Sequence, residues 1–397
     1  MPALRSNRDF VLLWSGQTVS ELGSQISLVA YPLLVLALTG SPAKAGIVGF
    51  AKALPIAALS LPAGMLADRM DRKRLMVGCN VVRALALAAL AVGVMTGHAP
   101  FLAIAAVAFI DGSGFVVTYV AERGVLRLLV AREQLPQAVA RNESRTFAAM
   151  LAGPPLGGVL FALGRAVPFA VDAASYAVSS AAMVAIRRPF QEARTARERV
   201  ALTEGLRWLW QRPFLRACTM LFAASNPLFA GLNLLIVILA KREGASSAVV
   251  GLMLAVAAAG GLAGTLMAPA LQARWRPHTS LVAESVAMAL AVPVLLIAHE
   301  PLVFGLVVAA AELFTPVTNA AVVSLRVGLA PDRLQGRVQA ASTLVSFSAG
   351  WLGPLAVGLL VQHAGTTTTT VILVAWAAVL ALVSIAAPAL RRGPEVR

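Results

Sequence analysis

Gly64-Met-Leu-Ala-Asp-Arg-Met-Asp-Arg-Lys-Arg74 stands between two long apolar runs. A short charged stretch bounded in this way belongs at a membrane surface, and the runs it joins belong inside the bilayer. Composition agrees. Of 397 residues, 59% are hydrophobic and 13% charged, and the mean hydropathy of +0.80 lies outside the range of soluble globular domains.

The net charge of +15 does not point to nucleic acid, because only four of the 33 basic residues are Lys and the Arg are spread between apolar runs. That pattern fits the excess of basic residues in the cytoplasmic loops of membrane proteins. Cys79, Cys218 and the four His (His98, His278, His299, His363) lack metal-ligand spacing, so no metal is expected. Arg5 and Arg8 precede an apolar run, but Gln17, Ser20 and Glu21 interrupt it, and it reads as a first permanent span. None of Lys44, Lys52, Lys73 and Lys241 follows a Gly, which excludes a phosphate loop and leaves no cofactor expected.

Cutting the chain at Pro, Gly and charge clusters gives twelve spans: 10–38, 44–67, 74–96, 100–122, 138–163, 167–187, 213–240, 246–271, 279–298, 301–326, 338–363 and 367–388. With both termini inside, only Lys44, Arg165, Lys241 and Arg242 fall outside, while Lys52 and Arg83 lie within spans. The fold class is therefore an all-α integral membrane protein. The expected division is 1–187 for a first six-helix half, 188–212 for a cytoplasmic linker and 213–397 for a second half. Within the linker, Leu202, Leu206, Trp208, Leu209 and Trp210 among charged residues suggest an amphipathic helix on the inner membrane face.

The two halves repeat. Ala131-Arg-Glu-Gln-Leu-Pro-Gln-Ala-Val139 is echoed by Ala330-Pro-Asp-Arg-Leu-Gln-Gly-Arg-Val338, and Gly153-Pro154 with Gly158 and Leu160 by Gly353-Pro354 with Gly358 and Leu360. Span five thus corresponds to span eleven, and parallel repeats imply a substrate path between them. The counterpart of the opening stretch is Gln272-Ala-Arg-Trp-Arg-Pro277, with Gln272 where the first half has Asp68.

Twelve spans in two sixes, a long central loop and Gly64-x-Leu66-Ala67-Asp68-Arg69-x-x-Arg72-Lys73 together resemble the major facilitator superfamily over essentially the whole chain. Asp71 stands where that superfamily usually has Gly, a departure that resembles the drug:proton antiporter branch containing macrolide exporters and the enterobactin exporter. Gly153-Pro154-Pro155-Leu156-Gly157-Gly158 is similar to the span-five element of the superfamily's antiporters. Span four departs from many of them, reading Asp111-Gly-Ser-Gly-Phe115 with no Arg at mid-depth.

Ionisable groups inside a bilayer cost about 2.5 to 3.5 kcal/mol each on insertion scales, which makes each a functional candidate. At about 1.5 Å per residue, Glu21 and Asp111 lie roughly 17 Å and Arg83 roughly 14 Å from the inner ends of their spans. The superfamily resemblance places spans one, four, seven and ten around a central cavity, and Glu21, Asp111 and Glu312 fall on three of them. Low dielectric favours the neutral form of a carboxyl group, so Glu21 or Asp111 is expected to carry an exchanged proton, with Arg83 stabilising the acid that stays ionised. An Arg83–Asp111 structural pair is the alternative. Glu312, with Phe314, Asn319, Phe229 and Asn233, is the expected substrate-cavity group. Lys52 is read as snorkelling, and Asp172 and Glu284 as solvated near the interface.

The resemblance also implies a conformational latch built from Gly64, Asp68, Arg69, Arg72 and Lys73. In it Asp68 faces the start of span eleven at Arg337, and Arg72 reaches Glu122. Together these readings predict a monomeric cell-membrane exporter of a small amphipathic molecule, driven by protons through alternating access. An importer or uniporter on the same fold, and a non-transporting sensor or lipid scramblase, are the alternatives.

Overall fold

The computed structural model describes residues 4, 7–188, 190, 202–331 and 334–391, and all of the regular structure among them is helical. The helices are α1 (Arg8–Thr39), α2 (Pro42–Arg69), α3 (Arg72–Met95), α4 (Phe101–Leu129), α5 (Leu135–Leu163), α6 (Val167–Ala185), α7 (Leu202–Trp210), α8 (Pro213–Arg242), α9 (Ser247–Gln272), α10 (Pro277–Ala291), α11 (Pro301–Glu312), α12 (Thr315–Leu329), α13 (Gln335–Phe347), α14 (Leu352–Ala386) and α15 (Pro388–Arg391).

Among the described residues, eleven helical stretches are long and apolar enough to cross a membrane. The last of them, Gln335–Ala386, covers 52 residues, enough for two spans. It turns at 348–351, and again at Gly365, whose φ of 83° is one that residues with a Cβ rarely adopt. The expected twelfth span begins just beyond that glycine. Spans nine and ten, expected as single helices, are interrupted. After α10 the chain tightens into a 3-10 stretch, Val292–Leu296, that contains Pro293, and α11 gives way to α12 just before Pro316. A proline lacks the N–H that would continue the helical ladder.

Short polar caps start the helices where the charge pattern predicts. Asn7 Oδ1 accepts from the Phe10 N–H, and the Asp71 carboxylate accepts from the Arg74 N–H at 2.8 Å. These bonds satisfy first-turn donors that would otherwise lie unpaired at the edge of an apolar medium.

Two compact units emerge: Met1–Thr195 with Ser246–Ala255, and Ala196–Ala245 with Val256–Arg397. The expected linker, 188–212, falls partly on residues 189 and 191–201, outside the described residues. In the first unit α1 packs on α5 and α6, α2 on α4, and α3 on α4 and α6. Lipid tails are as apolar as the helices, so association relies on close van der Waals contact through small residues. Gly112 illustrates this, since a Cβ there would run into the Lys52 backbone carbonyl and drive α4 away from α2.

In the second unit α8 packs on α14 and α10 on α14, while α13 is covered by α7. The expected amphipathic helix is α7, and one of its sides packs against α13. Leu209 is fully buried, Glu204 pairs with Arg337, and Gly205 abuts the Arg337 backbone with no room for a Cβ. Leu206 and Trp210 remain exposed. The tertiary contact recruits one side of the helix, which its amphipathic pattern alone did not assign to any partner.

Gly112→Val is expected to lower stability by about 1 to 3 kcal/mol, the cost of forcing extra carbons into a closed helix contact. A thermal unfolding midpoint equal to that of the parent chain in the same detergent would contradict this packing.

Candidate functional site

Asp111 on α4 is completely buried and has three partners from three other helices. Lys52 on α2 pairs with Oδ2, Arg83 on α3 donates from Nε to Oδ1 at 2.9 Å, and the Tyr176 hydroxyl on α6 donates to Oδ1 at 3.0 Å. Lys52, expected to snorkel, is turned inward to this carboxylate, because an acid within reach outweighs the pull of the interface. Its ammonium also stands 5.0 Å from the centre of the Tyr31 ring. Arg83, only 3% exposed, donates as well to the Tyr176 hydroxyl and to Ser24 Oγ, and lies along Gly114, where a side chain would displace it.

Asp172 shares the neighbourhood on α6. It is fully buried, accepting from Ser27 Oγ at 2.5 Å and Ser175 Oγ at 3.2 Å, with Gly23 of α1 leaving the space it occupies. The expected interfacial solvation of Asp172 is thus replaced by protein hydroxyls, since helix packing seals a depth that span counting placed near the surface.

A second ion cluster centres on Arg145 of α5, a residue that sequence reading missed although it lies inside the fifth apolar run. Its guanidinium donates to Glu122 Oε1 at 3.0 Å and stands 3.7 Å from Glu21 Oε2. Gln17 also donates to Glu122 at 3.1 Å, Ser179 to Gln17 at 3.1 Å and Asn80 to Ser179 at 3.2 Å. Five helices are tied by this chain of bonds. Of the sequence-predicted proton residues, Arg83 and Asp111 are brought together, whereas Glu21 belongs to the Arg145 cluster.

The remaining candidates separate. Arg72 donates to the Ala67 carbonyl at 3.2 Å and lies against Gly124, one turn from the end of α4, while Glu122 is held by Arg145, Gln17 and Asn142. Lys73 reaches the last carbonyls of the α6 end, Val184 at 3.0 Å and Ile186 at 2.7 Å, a site where helix ends attract cations. Gly64 and Arg69 stand on the last turns of α2, and the Asp68 side chain lies outside the described residues. Arg337 is engaged by Glu204. Gly153 and Gly157 let α5 meet α1 at Gln25 and Ile26, and Gly158, one turn after Pro154, meets Gly251 of α9.

In the second unit a cavity of about 120 Å³ is lined by Phe229 and Asn319 but also by Glu284 and Arg326, which sequence reading set aside or missed. Glu312 faces Gly261, Phe314 meets the Trp275 ring with centroids 5.7 Å apart, and Asn233 donates back to the Phe229 carbonyl at 3.0 Å; none of the three lines this cavity. Glu284 is 6% exposed, so its expected interfacial solvation is likewise corrected.

A family model described as transmembrane secretion effector, within the major facilitator superfamily, matches residues 3–395. The chain belongs to this family. Its members are transporters and not enzymes. The multidrug efflux pump Tap of Mycolicibacterium fortuitum is 26% identical over 391 residues, 93% of each chain. Macrolide efflux protein A of Streptococcus pyogenes is 28% identical over 184 residues, 45% of each chain. Among solved structures, a bacterial homologue of the iron transporter ferroportin in its inward-facing state has a TM-score of 0.75 at 18% identity, covering 97% of this chain and 99% of the other. The nucleoside transporter NupG has a TM-score of 0.74 at 13% identity, covering 95% of this chain and 98% of the other. These likenesses establish the superfamily fold, which carries many substrates.

Replacing Asp111 by Asn leaves half-buried Lys52 and buried Arg83 without their acid, and is expected to destabilise the protein by about 3 to 5 kcal/mol. Adding Lys52→Met should recover part of that loss in a denaturant or thermal melt; additive effects of the two substitutions would contradict the pairing.

Proposed function

We propose that this chain is an exporter in the cytoplasmic membrane, with both termini cytoplasmic, that expels a small amphipathic molecule in exchange for protons. Its full-length similarity to a multidrug efflux pump supports the direction of transport. The observation that carries the coupling is the sharing of one guanidinium: Arg145 serves both Glu122 and Glu21. With both acids ionised this trio has an excess negative charge, and one bound proton removes it. Asp111 has the opposite balance, one carboxylate facing two cations, which suits a fixed charge better than a proton carrier. Glu21 stands farther from Arg145 than Glu122 does and retains some exposure, so Glu21 is the acid that loads and releases the proton, while Glu122 anchors the guanidinium. In this reading the stretch from Gly64 to Arg74 is the conformational latch.

In an efflux-deficient bacterial host the chain is expected to raise tolerance to amphipathic antibiotics. In inside-out vesicles Glu21→Gln should slow pH-driven extrusion by about tenfold or more, equivalent to about 1.4 kcal/mol on the limiting step. Parent-like coupling by Glu21→Gln would remove Glu21 from the role, and net uptake by whole cells would remove export.

A further inference from the structure

The cavity in the second unit holds two buried charges of opposite sign that do not meet. Glu284 on α10, 6% exposed, accepts a hydrogen bond from Thr315 at 3.0 Å, and Arg326 on α12, also 6% exposed, donates to Gln339 at 3.1 Å. Among the described residues neither has an ion-pair partner. Their separation is built into α12: Thr315, beside Glu284, precedes Arg326 by roughly three turns, about 16 Å along the axis. A guanidinium and a carboxylate within a membrane-spanning unit are tolerated when each meets a counter-charge or faces a polar cavity. Here both face one cavity, and the wall they share carries the rings of Phe222, Phe229 and Phe347.

We propose that this cavity binds an elongated amphoteric molecule: an ammonium group at Glu284 and Thr315, an aromatic or otherwise flat apolar body against the phenylalanine rings, and a carboxylate or similar anion at Arg326 and Gln339. A guanidinium presents a planar fork that matches a carboxylate in two hydrogen bonds. A phenylalanine face attracts the ammonium end while its bulk covers the apolar body. Such a ligand replaces two unmatched charges with two matched ones, whereas a ligand bearing one charge leaves the other end unsatisfied. This inference rests on the reading of the chain as an exporter and names the substrate class.

Three naphthalene probes test it: one with an alkylammonium arm, one with a carboxylate arm on the far side, and one with both. Binding of each to the purified full chain is read by probe fluorescence. The two-armed probe is expected to bind about tenfold or more tightly than either single-armed probe. Glu284→Gln should reduce it to the level of the carboxylate probe and leave that probe unchanged, and Arg326→Gln should do the converse. Arg326→Lys, keeping the charge and losing the fork, should retain part of the carboxylate preference, and a parent-like melting midpoint for each variant confirms an intact fold. Equal affinity for all three probes, or equal weakening of all three by each variant, overturns the proposal in favour of a water-filled cavity. Loss of the charge preference with pH-driven extrusion intact refutes this site alone, and charge preference without extrusion refutes the export reading alone.

Discussion

Lys52, Arg83 and Tyr176 converge on the carboxylate of Asp111 from three separate helices, and much of the first unit follows from that meeting. An isolated ion in a low-dielectric interior is expensive, so the helices carrying these groups have to approach closely enough to match them. Small residues make the approach possible. Gly112 brings α4 onto the Lys52 backbone, Gly114 clears the path of Arg83, and Gly23 leaves room for Asp172 and Ser175. Packing and electrostatics are therefore one arrangement, in which removing a charge loosens the helices and enlarging a glycine separates the charges.

The second cluster differs from the first in its charge balance. Around Asp111 two cations bear on one acid, and around Arg145 two acids bear on one cation. The polar chain from Asn80 through Ser179 and Gln17 to Glu122 joins α3, α6, α1 and α4 to that second cluster. Hydrogen bonds from that cluster thus run through five helices of the first unit.

The two halves of the sequence repeat, yet the units have diverged in what they hold. Ion pairs cluster in the first, whereas the second carries Glu284 and Arg326 around a cavity, neither with an ion-pair partner among the described residues. The loop stretches differ too, with Asp68 in the first half and Gln272 in the second, the latter donating to the Val317 carbonyl. A family whose fold is shared by many transporters can acquire its particular substrate only through such side chains, because the helix framework is common to all of them.

Hydropathy and charge alone determined that this is a membrane protein of many helices, and the Gly64–Arg74 stretch with the Gly153–Gly158 element identified its superfamily, because span length and loop charge are one-dimensional properties imposed by the bilayer. That Glu21, Arg83 and Asp111 lie deep in apolar runs was also legible, since any charge in such a run is conspicuous. Their partners were not. Whether Lys52 snorkels or pairs with Asp111, whether Asp172 and Glu284 meet water or hydroxyls, and whether Arg145 belongs to a basic loop or to two glutamates depend on which helix faces come together. Residues such as Lys52 and Asp111 share no sequence pattern that signals their contact. Only the tertiary structure decided it, through close approaches set by glycines whose neighbours belong to other helices.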